Sequence, residues 1–251
     1  DIETRNKEGF TASIFASGRG HLGCLQLLLH AKADINAAGE DGVTALIVAA
    51  MQGQPECLLL LLDAKADVDA PGRFGNSALM MSAQHGRTEC LQLLIDAKAH
   101  VNAVNKDGKT ASIFAACEGH PGCLQLLIDR NADVNAADKG GVTPSIMAAM
   151  KGQIACLQWL LGANANINVA KTSGDTALIL AAWKGHAECL QLLLDAKADI
   201  SAANQHEDTA LNAAAASGHI ECLRLLLDAN ADIGSTASIV AAGTDQAECL
   251  Q

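Results

Sequence analysis

The chain has 251 residues, half of them apolar but only 2% aromatic, so alanine and leucine must do most of the packing, which suits closely spaced helices. Its formal net charge of −11 argues against nucleic acid or an anionic membrane as a partner, since either would require a basic face, and leaves a basic target or a neutral groove ligand open. No apolar run approaches the roughly 18 residues of a membrane-spanning helix, and no signal peptide is visible.

A period of 33 residues runs along the sequence. It shows in a threonine or serine at positions Thr11, Thr44, Ser77, Thr110, Thr143, Thr176 and Thr209. It shows again in the cysteines Cys24, Cys57, Cys90, Cys123, Cys156, Cys189 and Cys222. A fixed period of this length indicates stacked supersecondary units rather than one globular core.

Each period predicts two antiparallel helices, and residues 41–70 illustrate the pattern. Thr44 caps the first helix, and the small residues that follow it let the next repeat approach closely. Gly53 ends that helix. The second helix is expected from about Pro55 to Ala64, because proline suits a first helical turn. The chain then extends toward a turn near Gly72 and Gly75.

These units, such as DGVTALIVAAMQGQPECLLLLLDAKADVDA at residues 41–70, resemble ankyrin repeats. The resemblance implies an all-α fold, an ankyrin-repeat solenoid of antiparallel helix pairs with protruding β-hairpin or loop fingers. We expect one array over residues 1–251, with a shortened partial repeat at 236–251. We also expect this array to be part of something larger, or to be capped by it. The complete helix pairs begin near residues 11, 44, 77, 110, 143, 176 and 209.

The units depart from the family pattern at two repeated positions. The family histidine is replaced by Ile14, Ile47, Met80, Ile113, Ile146, Ile179 and Asn212, which predicts apolar packing along nearly the full stack. The glycine after the second helix is replaced by Lys32, Lys65, Lys98, Asn131, Asn164, Lys197 and Asn230. A left-handed backbone at that point would cost about 1 kcal/mol per lysine. Glu207 also replaces a finger glycine, so we expect that finger to bend differently.

Four His-x-x-Cys pairs raise the alternatives of zinc binding and a thiol nucleophile. Each repeat supplies only two such ligands, whereas structural zinc takes four. The regular spacing therefore favours cysteines that serve as small buried hydrophobic residues. The sequence has no phosphate-binding loop and no hydrolase motif. We predict no enzyme activity, no cofactor and no metal, and we predict reduced thiols in an intracellular compartment, the cytoplasm or an organelle.

The resemblance implies that a partner contacts the finger tips and the concave face of the first helices. The candidate partner-binding residues are Met51, Gln52, Phe74, Gln84, His85, Cys117, Glu118, Met150, Lys151, Trp183 and Lys184. Tryptophan and methionine are enriched in interface cores. Cys117, which falls outside the 33-residue spacing, is expected to be the most exposed thiol. Trp159 stands at a core-leucine position and is expected to be buried.

The resemblance thus predicts a scaffold or adaptor that binds another protein. Two alternatives stay open. The chain could be an architectural linker subunit of a large assembly, which unusually apolar exposed second helices would favour. It could also be the regulatory array of a larger enzyme or channel.

Overall fold

The computed structural model describes residues 2–229, and this part of the chain contains fourteen α-helices and two isolated antiparallel bridges. Contacts divide the chain into two compact units, Asp1–Asp133 and Val134–Gln251, called here the N-terminal and C-terminal units. The predicted partial repeat at 236–251 lies outside the described residues.

The helices come in seven pairs, each formed by an inner helix and the outer helix that follows it. The inner helices are α1 Ala12–Gly18, α3 Ala45–Gln52, α5 Ala78–Gln84, α7 Ala111–Glu118, α9 Pro144–Lys151, α11 Ala177–Lys184 and α13 Ala210–Ser217. The outer helices are α2 Leu22–His30, α4 Pro55–Asp63, α6 Thr88–Asp96, α8 Pro121–Asp129, α10 Ile154–Gly162, α12 Ala187–Asp195 and α14 Ile220–Asp228. The segment that leads from an outer helix to the next inner helix, including its tight turn, is called a finger.

Side-chain caps start every inner helix as the sequence predicts. The hydroxyl of Thr110, for example, accepts a hydrogen bond from the backbone amide of Ile113 at 3.4 Å. This bond satisfies one of the amides that a helix leaves without an intrahelical partner. At the other end, Gly53 takes a left-handed backbone with φ +73° and ends α3. Cap and glycine together set the length of the helix.

Small side chains bring neighbouring inner helices together within each unit. Ala49 and Ala50 of α3 are fully buried, and α3 packs against both α1 and α5. In the C-terminal unit, α11 packs in the same way against α9 and α13. Positions where the family has histidine, such as Ile47 and Ile113, are buried. The predicted exchange of a polar strut for apolar packing is therefore confirmed.

Hydrogen bonds from a backbone amide to a polar side chain also join successive repeats, at the loops that follow the outer helices α2 to α12. The Asn36 side-chain oxygen accepts the Asp67 amide at 2.9 Å, and Asn168 accepts the Asp199 amide at 2.9 Å. At one joint both partners differ. There Asp69 accepts the His100 amide at 3.0 Å and also lies 2.5 Å from the His100 ring nitrogen Nδ1.

The second residue after each outer helix from α2 to α12 is left-handed, as a glycine would be. The φ angles of Lys32, Lys65, Lys98, Asn131, Asn164 and Lys197 lie between +57° and +71°. A side chain with a Cβ carries a steric penalty in this conformation, which asparagine tolerates better than lysine. Residues 2–229 include no helix with the length and apolarity needed to cross a bilayer.

We predict that Lys65→Gly stabilises the protein by about 1 kcal/mol, because glycine removes the clash of Cβ at φ +70°. Asn131→Gly should give a smaller gain. The midpoint of urea unfolding measures both changes, provided that the slope stays constant. Lys106→Gly is the matched control, since this exposed lysine lacks a positive φ and its replacement should give no gain. Equal stabilisation by all three variants would contradict the prediction.

Candidate interaction groove

A groove of about 700 Å³ opens on the inner helices α1, α3 and α5 of the N-terminal unit and on the fingers before them. Its walls include the apolar side chains of Phe10, Phe15, Val48, Met51, Phe74 and Met81. The size falls within the range of about 300–1,000 Å³ that is usual for ligand sites. The structure therefore provides a preformed apolar surface on the side where the sequence predicts one.

Three of the residues predicted to bind a partner meet in this groove, namely Met51, Gln52 and Phe74. Met51 is half-buried, and Gln52 is exposed at the end of α3. Phe74 is 56% exposed at the tip of its finger. A finger residue and a helix residue that are 23 positions apart are thus parts of one site.

The sequence reasoning missed Phe15, Val48 and Met81, which also line the groove. Each is the fourth residue after its capping threonine or serine, on the face of the inner helix opposite the packed alanines. Phe10 lies edge-on to Phe15, with ring centroids 5.8 Å apart. A search for large side chains at this fourth position would have found all three, together with Phe114, Met147 and Leu180, which are not among the groove-lining residues.

The Phe74 finger has an unusual backbone. In four other fingers an Asx side chain organises the turn, as when the Asn6 side-chain oxygen accepts the amides of Glu8 at 3.0 Å and Phe10 at 2.9 Å. Gly72 stands at that point in the Phe74 finger and has no such side chain. The backbone of Phe74 is left-handed, with φ +58°, which costs roughly 1–2 kcal/mol for a bulky residue. Asp41, the equivalent residue of the finger that has Gly39 at the same point, does not have a positive φ.

The finger with Glu207, in contrast, bends as the others do. Glu207 takes φ +63° in place of the usual glycine, and Asn204 still accepts the amides of His206 and Asp208. The expectation of a different bend there was wrong. Hydrogen bonds to the Asn204 side chain keep the turn in its usual form, and Glu207 carries the steric penalty of the left-handed backbone.

Few charges border the groove. Arg19, Asp41 and Arg73 are its charged lining residues, and all three are exposed. The Nε atom of Arg73 lies 3.7 Å from an Asp41 carboxylate oxygen, and its guanidinium lies 4.9 Å from the centre of the Phe74 ring. Arg73 thus holds the exposed ring by a cation–π contact while keeping donors available.

The other predicted residues of the N-terminal unit do not line this groove. Gln84 and His85 lie at the end of α5, where the Gln84 carbonyl is 3.1 Å from Nε2 of His120. Because a carbonyl only accepts, this ring nitrogen must carry the proton. Cys117 is half-buried and Glu118 is exposed in the last turn of α7.

In the C-terminal unit, the predicted residues lie at the ends of α9 and α11. Trp183 is 50% exposed, and the Lys184 ammonium lies 4.1 Å from the centre of its ring. The Met150 and Trp183 carbonyls bond to Nε2 of His186 at 3.2 Å and of His219 at 3.1 Å. These histidines therefore fix the ends of inner helices, and their Nε2 atoms are already engaged.

The thiols behave mostly as small core residues. Burial, with help from Glu89, raises the pKa of Cys90 to about 11. Burial, with help from Glu188, likewise raises the pKa of Cys189 to about 11. No cysteine among residues 2–229 forms a disulfide, and no three potential metal ligands group together in that range.

Two expectations about exposure were wrong. Cys24, rather than Cys117, is the exposed thiol, because no described residues cover the face of α2 on which it lies. Trp159 is 41% exposed rather than buried, because its repeat position is not in the core: the equivalent leucines are half-buried or, like Leu27, exposed. The side of the outer helix on which a residue lies, and the cover given by neighbouring residues, decide the two cases.

The Lys, Arg, Asp and Glu residues are divided unevenly between two parts of the described chain: the inner helices with their finger turns, and the outer helices with their loops. The inner helices and finger turns, taken as residues 5–20, 37–53, 70–86, 103–119, 136–152, 169–185 and 202–218, have ten Lys or Arg and nine Asp or Glu. The rest of the described chain, mainly outer helices and their loops, has seven and fifteen. The acidic surplus therefore lies away from the inner helices.

Comparisons with known proteins agree with this architecture. A family model described as ankyrin repeats in three copies matches residues 1–72, 66–138 and 145–237. The chain is also similar to the crystal structure of the ankyrin repeat domain of Bcl-3, described as a unique member of the IkappaB protein family. That similarity has a TM-score of 0.74 and 29% identity over 88% of this chain and 100% of the other. No curated protein matches the chain.

We predict that a maleimide labels Cys24 of the native protein much faster than Cys90 or Cys189. A thiol pKa of about 11 instead of 9.0 lowers the reactive thiolate about 100-fold at neutral pH, and burial lowers access further. Mass spectrometry of the labelled peptides resolves each site. The urea-unfolded chain should label at all three cysteines, and rapid native labelling of Cys90 would contradict the assignment.

Proposed function

Because the chain belongs to the ankyrin repeat family, whose repeats are generally protein–protein interaction domains, we propose that it is a non-catalytic scaffold that holds a partner protein in the groove of its N-terminal unit. The finger that carries Phe74 forms one wall of that site. Ankyrin-repeat domains are typically non-catalytic. Catalysis therefore plays no part in this proposal.

The observation that carries the proposal is the clustering of aromatic residues. The whole sequence has four phenylalanines, two tryptophans and no tyrosine, yet Phe10, Phe15 and Phe74 line one groove together. Aromatic side chains bury large areas at little cost in conformational entropy, and they are common hot spots of interfaces. A stack that needs only alanine and leucine for its core has no structural need for three phenylalanines at one surface site.

A further contact in the C-terminal unit is consistent with the same function. Trp183 with Lys184 above its ring is a large, half-exposed anchor, and Met150 and Lys151 occupy the equivalent positions of the preceding repeat. A partner that spans several repeats gains affinity from two such anchors. We include Met150, Lys151, Trp183 and Lys184 as a second contact region, separate from the groove.

A second candidate is an architectural subunit that docks through its outer helices. It is favoured by four large apolar side chains exposed on these helices, Leu27, Leu59, Trp159 and Leu227. Exposed apolar residues are normal when they are single, and clusters of them mark interfaces. The aromatic cluster makes the groove the stronger candidate.

We predict that Met51→Asp lowers capture of the partner from the source cell at least about tenfold, because a carboxylate in an apolar hot spot costs more than 1.4 kcal/mol. Quantitative mass spectrometry of the captured proteins measures the change. Leu59→Asp is the matched control, since it places the same charge on the outer helix of the same pair and should leave capture unchanged.

Trp183→Asp tests the second contact region in the same experiment, and Trp159→Asp tests the outer surface of the C-terminal unit. All four variants are first compared by helicity and by the midpoint of urea unfolding. If the partner is lost with Leu59→Asp or Trp159→Asp but kept with Met51→Asp, the groove is not the binding site, and docking through the outer helices is the better explanation.

A further inference from the structure

We propose that the segment held in the groove is acidic: a large apolar side chain enters the groove, and separate Asp or Glu carboxylates of the partner pair with Arg19 and with Arg73. This inference rests on the proposed function and adds the chemistry of the partner. It is opposite in sign to the partner that the net charge of −11 would suggest.

The first support is that Arg19 has an exposed side chain with no carboxylate of the described chain beside it. This residue caps the end of α1 through its backbone, and its exposed side chain lines the groove. No carboxylate of residues 2–229 lies within 4.0 Å of its guanidinium. A guanidinium presents five N–H donors in a planar fork that matches a carboxylate, so a partner carboxylate gives it two parallel bonds.

The second support is Arg73. It reaches Asp41 only through Nε at 3.7 Å, beyond normal hydrogen-bond length, and its guanidinium lies near the face of the Phe74 ring. A carboxylate that approaches along the groove can therefore bind the remaining donors without breaking a strong ion pair. Asp41 is the one acidic residue among the groove-lining side chains, so the local charge is positive.

The third support is the apolar wall beside these cations. Phe15, Met51 and Met81 exclude water once a partner covers them, and charge pairs strengthen as the local dielectric falls. The same wall recognises an aliphatic or aromatic side chain by burial. The two chemistries lie in one groove, so a single short segment can satisfy both.

The fourth support is the strained finger. Phe74 is left-handed, and its carbonyl accepts the Lys106 amide at 2.9 Å, which joins this finger to the next one. Strained backbone at a bulky residue is found where the surrounding structure holds a functional side chain in place. Here the strained residue places an aromatic ring and, through Arg73, a cation at the same edge of the groove.

The experiment selects a display library of random twelve-residue peptides against the full chain and, in parallel, against Met51→Asp. We expect peptides that require Met51, and among them enrichment of Asp or Glu beside Leu, Phe or Trp. Synthetic fluorescent copies of the enriched peptides then give affinities by polarisation. Arg19→Gln should weaken them about tenfold, and Arg73→Gln should weaken them by a similar factor.

Arg224→Gln is the control, because this exposed arginine lies on the outer helix α14 and should leave affinity unchanged. Raising the salt concentration should weaken binding to the native chain more than binding to Arg19→Gln, since screening acts on the lost charge pair. Both controls separate a charge contact from a general effect on folding.

The outcomes separate the two proposals. Peptides that need Met51 but lack acidic residues, with equal affinity for native and Arg19→Gln protein, would overturn the acidic partner and leave the groove as the binding site. Enrichment of basic peptides in the groove would overturn it as well. A selection in which no peptide depends on Met51 would instead count against the groove itself.

Discussion

The close approach of neighbouring inner helices is the constraint on which the rest of the structure depends. At two consecutive positions, every described inner helix carries only alanine or serine, as in Ala49 and Ala50 of α3 or Ala115 and Ala116 of α7, and these residues are buried. Small side chains permit short distances between helix axes and lose no rotamer entropy on folding. Leucines of the outer helices then close the core behind them. Every other position of an inner helix must accommodate this packing.

This constraint leaves few positions free to vary, and the candidate groove uses those positions. The buried alanines occupy one side of each inner helix, so that the fourth residue after the cap and the residues of the last turn remain for other purposes. In α1, α3 and α5 the fourth residue is Phe15, Val48 or Met81, and all three line the groove. The equivalent Leu180 in α11 is fully buried and serves the core instead. A single repeat position therefore serves packing in one repeat and surface chemistry in another.

Features that recur in every repeat could be predicted from the sequence, whereas the exposure of individual side chains could not. Threonine caps, glycine ends and helix pairs follow from local rules that each repeat obeys, so Thr44 and Gly53 behave as expected. Exposure depends on neighbours. Trp159 occupies a position at which the leucines of other repeats are themselves half-buried or exposed, and Cys24 lacks the cover that buries Cys57. The left-handed Phe74 backbone does not follow from the glycine at Gly72 either, because Gly39 stands at the same point of a finger whose equivalent residue, Asp41, lacks a positive φ.

Net charge is a poor guide to the partner of one face in a stacked fold. Screening limits the reach of a charge to about 8 Å at physiological salt, and packed helix axes lie about 8–10 Å apart. Carboxylates on an outer helix, such as Glu56 and Asp63 of α4, therefore act weakly on a ligand that lies in front of α3. Arg19 and Arg73 border the groove directly and act at contact distance. A protein with a net charge of −11 can for this reason present a positive site, because each face of the stack has its own charge balance.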